Sequence, residues 1–314
     1  IELLSMRNTL IEGCIMHDFE DGESVVGVIV QDSVQTRISR SVIERMNPKI
    51  EARAIVSTKN RRLAVDTSVF YELIPDDQIN GIARGIDITD SSGIHIHNIV
   101  LGNFASATIN GCLLTNSSEG LIDNCSFLGA TGQGAGFELF PAQRIVLRNC
   151  TAQSYNSPAP SLGCAGFSCE GGSNNILLNC TTAILDGDEA TIGIRLAGES
   201  ASLIEECTIR STVSANNFSD GILLARERNR GTECIGCVVE RCSVAYTEGP
   251  RATSYRDTSD RSENYFSENR AFIANTNYIV NYSSGPLPTA SGSISAGFPA
   301  LSSTGAFDNL DMQS

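Results

Sequence analysis

Apolar residues recur at every second position in short runs, each led by a glycine and followed by a polar turn. With the glycine as position zero, "GVIVQDSVQTRISRSVI" (Gly27), "GIDITDSSGIHIHNIVL" (Gly85), "GCLLTNSSEGLIDNCSF" (Gly111), "GFELFPAQRIVLRNCTA" (Gly136), "GFSCEGGSNNILLNCTT" (Gly166) and "GIRLAGESASLIEECTI" (Gly193) align without a gap. "RAIVSTKNRRLAVDTSV" fits with Arg53 in the glycine's place, and "GILLARERNRGTECIGCVV" from Gly221 fits after two extra residues. Period two marks a strand with one buried face. Positions one and three, such as Ile86 and Ile88 or Phe137 and Leu139, therefore face inward. So do position eleven (Ile96, Leu147, Ile204) and position fourteen (Cys125, Cys150, Cys180, Cys207). Position thirteen is asparagine in four successive copies, Asn98, Asn124, Asn149 and Asn179, as suits a sharp corner with left-handed backbone.

The copies follow at intervals of 25 to 32 residues, and the variation lies between the end of one copy and the glycine of the next. A single coil buries too few side chains to offset its lost backbone entropy, so copies must stack in series. Three short strands per coil, tight corners and one free loop predict an all-β fold, a right-handed parallel β-helix solenoid of about nine to ten coils. The coils are expected over residues 1–246, an irregular loop and degenerate last coil or cap over 247–283, and a Pro/Gly/Ser-rich arm over 284–314. The pattern, with its "NC" corners at Asn124, Asn149 and Asn179, resembles the pectate-lyase-like superfamily of parallel β-helix proteins. That superfamily includes polysaccharide lyases, hydrolases and epimerases as well as phage tailspikes and adhesins, so the resemblance implies a fold and leaves the activity open.

The repeat also reinterprets the cysteines. "CIGC" at Cys234 to Cys237 has metal or redox spacing in isolation, but the alignment puts both residues in inward columns. Parallel stacking points their Cβ atoms the same way, which is poor disulfide geometry. Of eleven cysteines only Cys164 and Cys242 fall off the ladder, and these are the candidates for reactivity or pairing. Sequons that start at ladder asparagines are read as accidents of the corner and inaccessible.

A net charge of -14 argues against nucleic acid and anionic membranes, whose charge would be repelled. No apolar run is long enough to span a bilayer. The chain starts without methionine, and its first residues lack a signal-peptide pattern, so any export signal or anchor is expected upstream.

In the resembled enzymes the cleft lies over the outward face of the glycine-led strand. The matching positions here give Glu138, Glu170 and Arg195 as candidate catalytic residues, with Asp87 nearby. Glu138 and Glu170 lie one coil and two positions apart, roughly 8 Å between Cα atoms, close enough to flank a glycosidic bond. Asp186 and Asp188 in "LDGDEAT" are candidate calcium ligands, and no other cofactor is expected.

Against chemistry stand apolar residues in the same outward columns, Ile29, Ile55, Leu113 and Leu223, and the absence of tryptophan. The favoured expectation is therefore a structural or adhesive module of an extracellular, cell-surface or virion-surface fibre that self-assembles. Arm residues Phe298, Leu301 and Phe307 would dock on a neighbouring copy. The alternative is a lyase or glycoside hydrolase acting on a polyuronate or capsular glycan.

Overall fold

A computed structural model describes residues 1–20, 22–77, 79–157, 163–227, 231–249, 251–258 and 264–271, with the backbone of Tyr278–Ile279 and Ala306–Phe307. The chain is a parallel β-solenoid of about nine turns. Each turn contributes one strand to each of three parallel ladders. In the first ladder Ser24–Gln31, Glu51–Thr58 and Ile82–Thr89 stack in order, followed by the relevant parts of Val100–Asp123 and Ser126–Arg148. Cys164–Glu170, Thr191–Ala197, Phe218–Ala225 and Arg251–Asp257 continue it. Among the described residues no helix is long and apolar enough to cross a membrane.

The interior is a column of stacked like residues. Phe137 lies on Phe167 with centroids 5.1 Å apart and planes 9° from parallel, while Phe104, Phe127 and Tyr155 form a second aromatic run. The leading glycine is required by close approach. A Cβ on Gly111 would sit 2.4 Å from the Gly136 carbonyl oxygen and 2.6 Å from Phe127, and a Cβ on Gly193 would sit 2.5 Å from the Gly221 oxygen. Glycine and the residue after it both face inward, as Gly85 and Ile86 do, which breaks strict alternation and turns the residue before the glycine outward.

At the corner between the second and third ladders every coil from Gly13 to Glu268 holds a residue at positive φ, including Asn98, Asn124, Asn149 and Asn179 at 50 to 55°. The amide of Asn124 donates to Asn98 and that of Asn179 to Asn149, while Asn149 donates to Asp123. Asn124, Asn149 and Asn179 are exposed on the outside of the corner, so the expectation that their sequons are inaccessible does not hold.

Two copies register differently from the gapless reading. Val26 pairs with Arg53 and Val28 with Ile55, so Ala54 takes the glycine site and the whole third copy shifts by one. Ile55 is accordingly a core residue, fully buried, and no part of an outward surface. In the copy after Gly221 the turn is longer than two extra residues: Val239, not Cys234, pairs with Ile204. Cys242 thus stacks beyond Cys207 on the ladder, and Cys234 and Cys237 are buried in the preceding turn.

Cys125, Cys150, Cys180, Cys207 and Cys242 fill five successive coils as free thiols, each donating to the carbonyl two residues back at 3.3 to 3.6 Å. Ser41 and Ser68 make the same bond in earlier coils. Cys164 is buried, and burial pushes its thiol up to about 12, which suits packing rather than nucleophilic chemistry.

Within the segment read as an irregular loop, Arg251–Asp257 is a regular strand of the first ladder. Tyr265–Ser267 and Arg270–Ala271 extend the other two, as a last coil should. Phe298 and Leu301 lie outside the described residues, and Phe307 is described only in its backbone pairing with Tyr278.

Candidate functional site

The outward face of the first ladder carries a cleft of about 630 Å³. Its floor follows from the break in alternation at the glycine: the outward residues of each coil are the one before the glycine and those two and four after it. Arg53, Arg84 and Asn110 fill the first of these columns, and Asp87, Leu113, Glu138, Ser168 and Arg195 the second. Phe140 and Glu170 stand in the third.

Two clusters of charge face each other along this floor. At one end the Asp87 carboxylate lies 2.8 Å from Arg84 and 3.1 Å from Arg53, whose guanidinium also pairs with Glu51. At the other, Glu170 is 2.8 Å from Arg195, which also donates to Ser168 at 3.4 Å. Between them Glu138 accepts a hydrogen bond from Asn110. Burial pushes the Glu138 carboxyl up; the charge of Glu170 adds to the effect, and the Asn110 bond opposes it. Glu138 thus keeps its proton more readily than a solvated glutamate.

Beyond this polar floor Ala135, Ala165 and Ile192 form a small apolar shelf with Leu223 and Phe218. Behind the shelf Asp220 is fully buried, 3.2 Å from Arg256, which lies over the Phe218 ring at 5.4 Å. Burial outweighs the pull of Arg256 and raises the Asp220 carboxyl to about 7.

The structure therefore gathers Glu138, Glu170 and Arg195 in one cleft, with Asp87 at its far end. Asp186 is exposed and Asp188 half-buried in the loop side of the third ladder, and neither lines the cleft. Among the described residues no three His, Cys, Asp or Glu side chains converge as metal ligands. Leu113 does line the cleft, and Leu223 is buried beneath its apolar end. Arg84, Asn110 and Asp220 escaped the sequence reading because counting by twos across the glycine turns the residue before it inward, and Arg53 because the slipped register set it in the glycine's place. The signal was present in "ARGIDIT", where an arginine in an inward column would bury an unpaired charge.

No protein-family model matches the sequence, and no curated protein matches it. Solved structures do. The A-module of mannuronan C-5 epimerase AlgE4 from Azotobacter vinelandii is 11% identical, with 88% of this chain and 90% of that chain covered and a TM-score of 0.24. PfbA, a surface adhesin of Streptococcus pneumoniae, is 10% identical, with 87% and 85% covered and a TM-score of 0.27. At these identities and TM-scores neither likeness carries an inference about this chain.

Proposed function

We propose that the first-ladder cleft binds a glycan chain laid across successive coils, and that Glu138 is the proton donor of a reaction on that chain. The observation behind this reading is the half-buried Glu138, its carboxyl raised, set between the Arg84–Asp87 and Arg195–Glu170 pairs. Sugars present hydroxyl edges and apolar faces. The paired charges offer fixed donors and acceptors to the first, and Leu113, Phe140 and the alanine shelf offer contact to the second. Glu138 can protonate a leaving oxygen while Glu170, 2.8 Å from Arg195, faces the same sugar.

An adhesive reading uses the same cleft without turnover. It is favoured by the pairing of Asp87 and Glu170 with arginines inside the protein, which makes a rigid, charge-balanced binding floor. The two readings separate in a screen of polyuronates and capsular glycans scored for both chain shortening and binding. Chemistry at Glu138 predicts shortening that declines as pH rises through the raised carboxyl's titration, because the donor loses its proton. Binding with no shortening at any pH supports the adhesive reading, and a chain that neither binds nor shortens any of them counts against both.

A further inference from the structure

The charge of the cleft comes in pairs, and the pairing bears on the kind of glycan the cleft can hold. Among the described residues that line it, the basic side chains are Arg53, Arg84 and Arg195 and the acidic ones are Asp87, Glu138 and Glu170. Every one of these arginines is held by a carboxylate. Asp87 lies 2.8 Å from Arg84 and 3.1 Å from Arg53, Glu51 holds Arg53 from its other side, and Glu170 lies 2.8 Å from Arg195. Three arginines thus face three carboxylates, Glu51, Asp87 and Glu170. The acid left over is Glu138, whose burial favours its neutral form. With Glu138 protonated the floor carries no net charge, and with Glu138 ionised it carries one negative charge; in neither state does it hold a surplus cation.

We propose that the cleft selects an uncharged glycan, a chain of neutral sugars, and discriminates against polyuronates; this rests on the reading of the cleft as a glycan site. A uronate chain carries a carboxylate on every sugar. To settle on this floor, each carboxylate would have to share a guanidinium with Glu51, Asp87 or Glu170, at a range where like charges repel about as strongly as the arginine attracts. It would also have to shed its water without gaining a charge partner of its own, which burial of an ion penalises heavily. A neutral sugar meets neither obstacle.

The floor is well furnished for hydroxyl groups. In the first cluster the cation stands nearer the solvent than its partner: Arg84 is 21% and Arg53 24% exposed, against 7% for Asp87. A guanidinium has five N–H donors. Arg84 gives one to Asp87 and another to Asn110, so others can meet the oxygens of a sugar while the charge is balanced from behind. Thr89, Thr108 and Thr115 add uncharged hydroxyls along the same wall.

Matched glycans test this on the full chain. Polygalacturonate and mannuronan are each set beside their carboxyl-reduced forms, which keep the linkage and carry CH2OH in place of the carboxylate, and neutral glucans and xylans complete the panel. The expected result is that neutral chains bind at least about tenfold more tightly than their uronate counterparts. Their affinity should change by less than about twofold between about 20 mM and about 500 mM sodium chloride, because no net charge is matched. Asp87→Asn supplies the converse: it keeps the side chain's shape and removes the charge that balances Arg84 and Arg53. Polyuronate affinity should then rise about tenfold and become salt-sensitive, in a variant whose circular dichroism is unchanged. Glu170→Gln should do the same at the other end of the cleft, and it carries the test where Asp87→Asn does not fold. A wild type that prefers the uronate member of a pair, or folded variants that gain no polyuronate affinity, would overturn the proposal and leave the glycan reading of the cleft standing. A chain that binds no glycan of either kind would overturn that reading, and this inference with it.

Discussion

The corner residues carry a cost that asparagine relieves. A left-handed conformation is nearly free for glycine, tolerable for asparagine and unfavourable for a β-branched residue. Thr67 holds φ at 48° next to Asn98 in the stack. The Thr67 side chain also hydrogen-bonds Asp66, a bond that an asparagine amide can replace. Thr67→Asn should therefore stabilise the protein by about 1 kcal/mol, seen as a higher denaturant midpoint with an unchanged slope; a destabilised variant would mean that the bond to Asp66 outweighs the backbone cost. Asp220 gives the opposite case, a residue whose setting works against its ionised form. It stays protonated in the folded chain to about pH 7, whereas the unfolded carboxyl ionises from about its ordinary 3.8. The folded state therefore holds the extra proton between those values, and stability falls as pH rises through that window. From pH 5 to pH 8 the wild type should lose about 2 to 3 kcal/mol more than Asp220→Asn, measured by urea unfolding at the two pH values. Equal losses would place Asp220 in a better-solvated setting.

At the scale of one coil, the leading glycine governs what the strand presents. It brings the backbone against the next coil's carbonyl and against a third-ladder side chain, and it sets two successive residues inward. Gly111→Ala places a methyl 2.4 Å from the Gly136 oxygen, where neither backbone can yield. It should cost about 2 to 3 kcal/mol, the range of overpacked cores, checked by thermal unfolding against wild type; a loss below about 0.5 kcal/mol would contradict the close approach. The same glycine explains which parts of the coil were legible in sequence. Positions one, three and eleven follow period two and emerged from the pattern in nearly every copy. The third copy slipped by one because Ala54, the small residue that replaces glycine, sits beside Arg53, and alternation alone does not distinguish them. The copy after Gly221 slipped because a turn of variable length carries no period, and two cysteines in that turn mimicked the ladder. In the site, Glu138, Glu170 and Arg195 were legible because they follow the glycine, where the count is regular. Arg84 and Asn110 precede it, and their outward direction depends on a bulge that period counting ignores.

For the whole molecule, stacking turns each column into a surface property that runs the length of the solenoid. One column becomes a cleft floor with charge clusters at two ends and a proton-holding acid between them. Another becomes an apolar stripe on a different face. Within the acidic net charge, two of the cleft carboxylates, Asp87 and Glu170, are paired with arginines locally. The claim that the cleft does chemistry stands or falls on Glu138. The most direct measurement compares wild type with Glu138→Gln on a glycan the protein shortens, following turnover and equilibrium binding on the same sample. A general acid contributes on the order of a hundredfold or more, so turnover should drop by at least about that factor with binding retained. Turnover unchanged in Glu138→Gln, or lost only in step with binding, would contradict the account.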